Sequence, residues 1–278
     1  MDERQRLIKI FENVREDISN GLYLNKFEEE VKFIKNHNMM AQTERIKSPG
    51  FVGVDSRKYE DFPKTIIYVE NIDFLDKAIQ FDPEYTAVLN PASASRSGGG
   101  VRTGSRALEE IICRRSNLIK SLEKFAEPSG MYDPSLDYYE AIWTPDVNVY
   151  RDSSYEPMDS PKLINVITMA AINHPRLDSE NKYIDQVRRQ MKKKIRVVLR
   201  IAILRGMTTL VLPAWGCGAF KNPASEVASC FKEVFEEAEF LGAFEEICFA
   251  ILDDHNAKHE FNPEGNFKPF LDTFGLKP

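Results

Sequence analysis

Cysteine is scarce and scattered: Cys113, Cys217, Cys230 and Cys248 form no C-x-x-C pair in 278 residues. That usage argues against a disulfide framework or a cysteine zinc site, and suits reduced thiols in a cytoplasmic protein. No apolar run approaches the roughly 18 residues of a membrane span, and the charged opening MDERQRLIKIFENVRED lacks the apolar stretch of a secretory signal. A membrane partner is therefore not expected. Basic charge is in deficit too, with 37 Lys and Arg against 43 Asp and Glu for a formal net charge of −6. That balance speaks against a non-specific nucleic-acid binder while leaving room for a local basic cleft for a polyanion, and a small anion is expected as partner ahead of a nucleic-acid duplex.

Glycine, by contrast, is concentrated where it matters. Residues 90–122 read NPASASRSGGGVRTGSRALEEIICRRSNLIKSL and join a short apolar strand, residues 86–89, to a helix through a loop holding Gly98, Gly99, Gly100 and Gly104. Consecutive glycines leave backbone N–H groups uncovered, and a helix N-terminus just beyond adds unpaired donors, so the loop is expected to take an anion such as a phosphate. The following helix carries Leu108, Ile111, Ile112, Leu118, Ile119 and Leu122 on one stripe, while Glu109 and Glu110 project off it. Those two carboxylates are expected in the first turn, away from the core and beside the glycine loop. Acidic residues there can simply offset the helix dipole; next to a phosphorylated ligand they can also do acid chemistry.

Two familiar phosphate loops fail on missing residues. Gly99 and Gly104 have Walker A spacing, but Ser105-Arg106 stands where that motif needs Lys and then Ser or Thr. The dinucleotide fingerprint fails because Thr103 occupies its last glycine position counted from Gly98.

Elsewhere the chain alternates helices and short apolar strands, which predicts an α/β arrangement. Residues 2–19 form an amphipathic helix stopped near Gly21, residues 29–35 a polar strand, residues 66–69 a buried strand, and Asn71-Ile72-Asp73 opens a short helix. Residues 127–161, rich in Pro, Asp, Ser and Tyr, read as an irregular surface insert with a strand pair at 141–143 and 147–150. LINVITMAA, residues 163–171, reads as a strand covered on both faces. A long helix from Ile184 presents Arg188, Arg189, Lys192, Lys193, Lys194 and Arg196 as a solvated basic face. The strand at 209–212 leads to a second glycine loop, PAWGCGAFKNP, then a helix from Ala224 reaching to Leu241 and a last strand at 246–252. With 42% hydrophobic content, one core suffices and the whole chain, 1–278, is expected to be a single domain. His255 and His259, beside Asp253 and Asp254, have a spacing that can hold a metal on a helix, but they sit in a polar loop and no metal is expected.

These loops resemble the microbial branch of the macrodomain-type poly(ADP-ribose) glycohydrolases, whose signature is a GGG run followed shortly by Gln-Glu-Glu opening a helix. Here seven residues separate Gly98-Gly99-Gly100 from Leu108-Glu109-Glu110. VLNPASA before the loop, CRRSNL after it and WGCGAF at 215–220 match the same pattern. Two departures stand out: Arg96-Ser97 replaces the usual Asn-Pro, and Leu108 replaces the glutamine.

The resemblance implies a three-layer macrodomain-like fold with a mixed central sheet between helices, an N-terminal helical extension over 1–60 and a core over 61–278. It implies hydrolysis of the O-glycosidic ribose–ribose bonds of poly(ADP-ribose), with no cofactor or metal, by an enzyme acting on ADP-ribose polymers or ADP-ribosylated proteins; a monomer is expected, although the sequence leaves oligomeric state open. Glu110 would be the general acid and then base, and Glu109 would orient ribose hydroxyls. Asn90, Gly98, Gly99, Gly100 and Val101, with Gly216, Cys217, Gly218, Ala219 and Phe220, would bind substrate, the two loops gripping the diphosphate. A mono-ADP-ribosyl hydrolase and a non-catalytic ADP-ribose-binding module are the alternatives.

Overall fold

The computed structural model describes residues 2–47, 62, 64–132, 135–136, 139–253, 257–258 and 260–277. In chain order its regular elements begin with α1 (Glu3–Asn20), β1 (Leu22–Leu24), β2 (Glu30–Lys32), α2 (Asn36–Gln42) and β3 (Glu44–Ile46). Next come β4 (Ile66–Glu70), α3 (Phe74–Ala78), β5 (Thr86–Pro91), α4 (Leu108–Arg115) and α5 (Leu118–Glu123). The chain continues through β6 (Ala141–Arg151), β7 (Pro157–Met169), α6 (Asp185–Leu204), β8 (Thr209–Leu212), α7 (Ala224–Phe235), β9 (Glu246–Ala250) and α8 (Phe267–Phe274). The chain forms two compact units, residues 1–46 with 90–169, and residues 47–89 with 170–278.

In the first unit, α1 starts where the Asp2 carboxylate accepts the Gln5 N–H at 2.7 Å and stops at Gly21 in the left-handed conformation. Leu7, Phe11 and Val14 give it a buried stripe. Val14 packs with Tyr23, Phe33 and Tyr150 in an aromatic cluster. β6 lies antiparallel between β3 and β7.

β6 corrects the expectation of a surface insert with two strands. It is one strand, buried along nearly its whole length. The interruption read at Pro145-Asp146 is a bulge, where the pairing with β7 shifts between Thr144 and Val147. Asp146 takes a positive φ there, and its carboxylate accepts hydrogen bonds from Asn38 and Lys35. A bulge lets a strand carry a residue that would otherwise end it.

The single helix expected over 108–122 is also two. Ser116 is extended, its hydroxyl donating back to the Ile112 carbonyl at 2.7 Å, and Asn117 exchanges bonds with Asn148 of β6 through its N–H at 3.1 Å and its side-chain oxygen at 2.8 Å. These polar side chains offer the backbone partners outside the helix, which ends α4 and restarts the chain as α5.

In the second unit β5, β8, β9 and β4 lie parallel in that order. Asp73 caps α3 by accepting the Leu75 and Asp76 N–H groups, as expected for the short helix opened by Asn71-Ile72-Asp73. α8 closes an aromatic cluster in which Phe274 stacks on Phe249 and Phe270 packs on the same ring.

The basic face of α6 is solvated only in part: Arg189 and Lys193 are exposed, while Arg188, Lys192, Lys194 and Arg196 are not. Arg188 pairs with Glu226 and Glu233, Lys192 with Glu233, and Arg196 with Glu237, joining α6 to α7 and the turn after it. Lys194 is buried, its ammonium donating to the Ala170 carbonyl at 2.8 Å. Helix α7 ends at Phe235 instead of reaching Leu241, which is exposed in the following turn.

Candidate active site

The glycine loop and the start of α4 belong to the first unit. Gly98 and Gly99 have positive φ, a 3-10 turn runs over Val101–Thr103, and Gly104 turns the chain toward α4. Glu109 and Glu110 sit in the first turn of α4, as expected, but they do not face outward: they are 3% and 6% exposed.

The reason is the loop, which closes over them. Glu109 accepts the Ser93 N–H on Oε2 at 2.7 Å and the Gly98 N–H on Oε1 at 3.2 Å. Glu110 accepts the Gly100 N–H on Oε1 at 2.6 Å, while its Oε2 is buried with no hydrogen-bond partner among the described residues. The Gly99 and Val101 N–H groups are taken by the Arg96 and Gly98 carbonyls. The expectation that the Gly98–Gly100 donors stand open to an external anion is thus corrected: Gly98 and Gly100 serve the chain's own carboxylates, and Gly99 serves the Arg96 carbonyl.

Glycine is required at residue 99 for that closure. A Cβ there would lie 2.5 Å from Glu110 Oε1 and 2.9 Å from Glu109 Oε2, at a φ of +54° that other residues adopt only with strain. Burial pushes the Glu109 carboxyl well above the usual carboxylate range and the Glu110 charge pushes the same way; the Ser93 and Gly98 N–H groups and Arg102 oppose them. Arg102 itself donates to the Ser97 carbonyl at 2.6 Å and pairs with Glu123 at 2.6 Å.

Asn90 and Val101 are fully buried in the same unit. Asn90 donates to the Thr168 hydroxyl at 3.2 Å, and its Oδ1 has no partner among the described residues. Leu108 is only half buried, so its place on the apolar stripe does not make it a core residue.

Three residues around this site were not singled out in the sequence. Ser93 supplies a donor to Glu109 through its backbone, which no side-chain pattern announces. Tyr132 is buried, its phenol unpartnered among the described residues and pushed up by burial and by the Glu109 charge. Arg114 is fully buried and donates to the Leu7 carbonyl at 3.2 Å, so a residue read as helix continuation ties α4 to α1.

The second glycine loop belongs to the second unit. Cys217 is fully buried, and its N–H is taken by the Ala214 carbonyl at 3.1 Å; Gly216, Gly218 and Phe220 are partly exposed and Ala219 is exposed. No acceptor among the described residues takes the N–H groups of Gly218, Ala219 and Phe220. This loop, unlike the first, keeps consecutive donors uncommitted. Trp215 is fully buried against Phe231 and belongs to the core.

All four cysteines are buried and free. Burial raises the Cys217 thiol, and it raises Cys230 to about 12 and Cys248 to about 11, so none of the three is a thiolate nucleophile at neutral pH. His255, His259 and Asp254 lie outside the described residues. Asp253 accepts the Asn266 and Phe267 N–H groups at 2.7 and 3.0 Å, serving the start of α8. No helix among the described residues is long and apolar enough to cross a membrane.

Comparison with known families decides what this arrangement belongs to. The model of the microbial-type PARG catalytic domain matches residues 12–152, which take in the second half of α1, the glycine loop and both glutamates. The chain belongs to the microbial-type poly(ADP-ribose) glycohydrolase family. The enzyme is similar to the poly(ADP-ribose) glycohydrolase of Thermomonospora curvata, at 26% identity over 98% of this chain and 100% of that one, with a TM-score of 0.82. The structure of the same bacterium's enzyme bound to the inhibitor ADP-HPD matches at 24% identity over 97% and 99% of the two chains, with a TM-score of 0.78. The Deinococcus radiodurans glycohydrolase in complex with ADP-ribose matches at 30% identity over 86% of this chain and 98% of that one, with a TM-score of 0.68. A search of curated proteins finds no significant match. These likenesses bear out the α/β class with a mixed sheet flanked by helices, and the activity as a poly(ADP-ribose) glycohydrolase.

Proposed function

We propose that this glycohydrolase cleaves the O-glycosidic ribose–ribose bonds of poly(ADP-ribose) and releases ADP-ribose, with Glu110 as the proton donor. The observation that carries the assignment is the asymmetry of the carboxylate pair. Both oxygens of Glu109 are engaged by backbone donors, whereas Glu110 is anchored through Oε1 and keeps Oε2 buried and unpartnered. An acid suits that combination: one oxygen fixed by the protein, the other uncommitted to any protein donor.

Protonated Glu110 donates its proton to the leaving ribose oxygen as the glycosidic C–O bond breaks, leaving an oxocarbenium-like ribose. The Glu110 carboxylate then takes a proton from a water molecule, whose oxygen bonds to the anomeric carbon; this restores the acid and yields a ribose hydroxyl on each fragment. Glu109, held by Ser93 and Gly98, fixes the loop and orients ribose hydroxyls. No step asks for a cofactor or a metal.

Substrate binding is assigned residue by residue within each unit. Asn90, with its unpartnered Oδ1, and residues 98–101, through close approach of the glycine backbone, serve the ribose next to the carboxylates. Gly216, Cys217, Gly218, Ala219 and Phe220 form the diphosphate loop, in which the free N–H groups of residues 218–220 make the polar contacts and Phe220 packs on a ribose. This reading draws support from the ADP-ribose bound in the Deinococcus radiodurans enzyme and the inhibitor bound in that of Thermomonospora curvata. The same proposal takes 1–278 as one catalytic domain of a cytoplasmic monomer, to be checked by limited proteolysis, fractionation and sedimentation.

The test is incubation of the pure enzyme with auto-modified poly(ADP-ribose) polymerase, with products identified by mass. Free ADP-ribose from the polymer supports ribose–ribose cleavage. Release only from mono-ADP-ribosylated protein points instead to a mono-ADP-ribosyl hydrolase.

A further inference from the structure

The second glycine loop is closed on itself by one side chain. Asn222, fully buried, donates from Nδ2 to the Gly216 carbonyl at 2.9 Å and to the Ile172 carbonyl at 2.7 Å, and its own N–H donates to the same Gly216 carbonyl at 3.0 Å. Its Oδ1 accepts the Tyr183 hydroxyl at 2.6 Å. A residue just past the loop thus reaches back to its first glycine and ties both to the strand-end segment at Ile172. The His174 N–H adds a bond to the Phe220 carbonyl at 2.9 Å.

Room for this closure depends on glycine at residue 216. With φ at +76°, a Cβ there would sit 2.5 Å from the Ala171 Cβ and 2.7 Å from the Asn222 Nδ2. The ring so formed leaves out the N–H groups of Gly218, Ala219 and Phe220, which have no acceptor among the described residues. Carbonyls turned inward to Asn222 and His174, with donors left over, make a preset anion cradle.

We infer that Asn222, held in place by Tyr183, is the positioning residue that presets the 216–220 loop for the diphosphate of ADP-ribose. The inference rests on the proposed role of that loop. Asn222 touches no reacting atom; it acts by fixing where the loop's donors point, so its loss should weaken binding and spare the chemical step. Burial raises the Tyr183 phenol, which keeps it a donor to Asn222 across the working pH range.

Two graded variants test this. Tyr183→Phe removes one oxygen atom and leaves the packing, while Asn222→Asp keeps the acceptor for Tyr183 but replaces the donor to the two carbonyls. ADP-ribose affinity by calorimetry is expected to fall by roughly threefold to tenfold in Tyr183→Phe, the size of one neutral hydrogen bond, and further in Asn222→Asp. KM on polymer should rise in parallel while kcat stays within about twofold. Tyr23→Phe, which removes a buried hydroxyl elsewhere, should leave all three quantities unchanged. Gly218→Val separates the two layers of the argument. If Gly218→Val binds ADP-ribose normally, the loop is not a ligand loop and the inference falls with that reading. If Gly218→Val loses binding but Tyr183→Phe and Asn222→Asp both keep wild-type affinity, or lower kcat instead of affinity, the positioning role alone is overturned.

Discussion

Replacing Gly99 by alanine separates two costs that a pair of glycines in this chain carries differently. Gly21 ends α1 at φ +74° with nothing within 4 Å of an added Cβ, so Gly21→Ala incurs only the left-handed strain, about 1 kcal/mol. Gly99→Ala incurs the same strain at φ +54°, and its Cβ also falls 2.5 Å from Glu110 Oε1 and 2.9 Å from Glu109 Oε2. Relief requires the carboxylates to move. The Gly100 N–H then loses Glu110, and the hydrogen bond to a carboxyl group and its desolvated donor together add about 2–3 kcal/mol. The total is about 3–4 kcal/mol against about 1 kcal/mol for the control, or roughly 6–16 °C against 2–4 °C in Tm for a chain of this size. Thermal and denaturant unfolding measure the stability difference, and ADP-ribose release from polymer measures the catalytic one, expected to fall at least about a hundredfold in Gly99→Ala while Gly21→Ala keeps wild-type rates. Equal destabilisation of the two variants, or full activity in Gly99→Ala, refutes the close fit between loop and carboxylates.

Three further outcomes follow from the same geometry. Because the folded-state pKa of Glu109 is raised, the folded chain holds a proton the unfolded chain has released; stability present at acid pH is therefore lost as pH rises from the ordinary carboxylate range through the raised value, with a slope of at most about 1.4 kcal/mol per pH unit. Glu109→Gln should lack that slope in denaturation curves taken across the range. Asn117→Ala leaves the buried Asn148 N–H without its acceptor and should cost about 1–3 kcal/mol by urea unfolding with little change in KM. Leu108→Gln, at a half-buried position, should cost no more than about 1 kcal/mol; any change in the spread of polymer fragments assigns the position to substrate choice.

Much of the arrangement was legible in the chain. The strand and glycine loop ahead of residue 108, the second loop at 213–223 and the carboxylates in a first helical turn all follow from glycine placement and apolar spacing, which are local properties. What was not legible depends on partners far away in sequence. Asn117 looks tolerable inside a helix until Asn148 offers its backbone an alternative, and Pro145 looks like a strand end until a bulge in β6 absorbs it. Lys194 reads as part of a solvated basic run, yet its ammonium finds the Ala170 carbonyl inside the protein. The same limit applied to the first glycine loop: three glycines signal available donors, but only the folded loop shows that Glu109 and Glu110 take up those of Gly98 and Gly100.

The central claim is that Glu110 donates the proton, and Glu110→Gln tests it most directly. Glutamine keeps the size and an oxygen for the Gly100 N–H but has no carboxylic proton, so it removes help given only in the transition state. Turnover of polymer should fall by about 10²–10⁴, with ADP-ribose affinity by calorimetry within a few fold of wild type. Near-normal turnover in Glu110→Gln, on polymer and on mono-ADP-ribosylated protein alike, contradicts the mechanism.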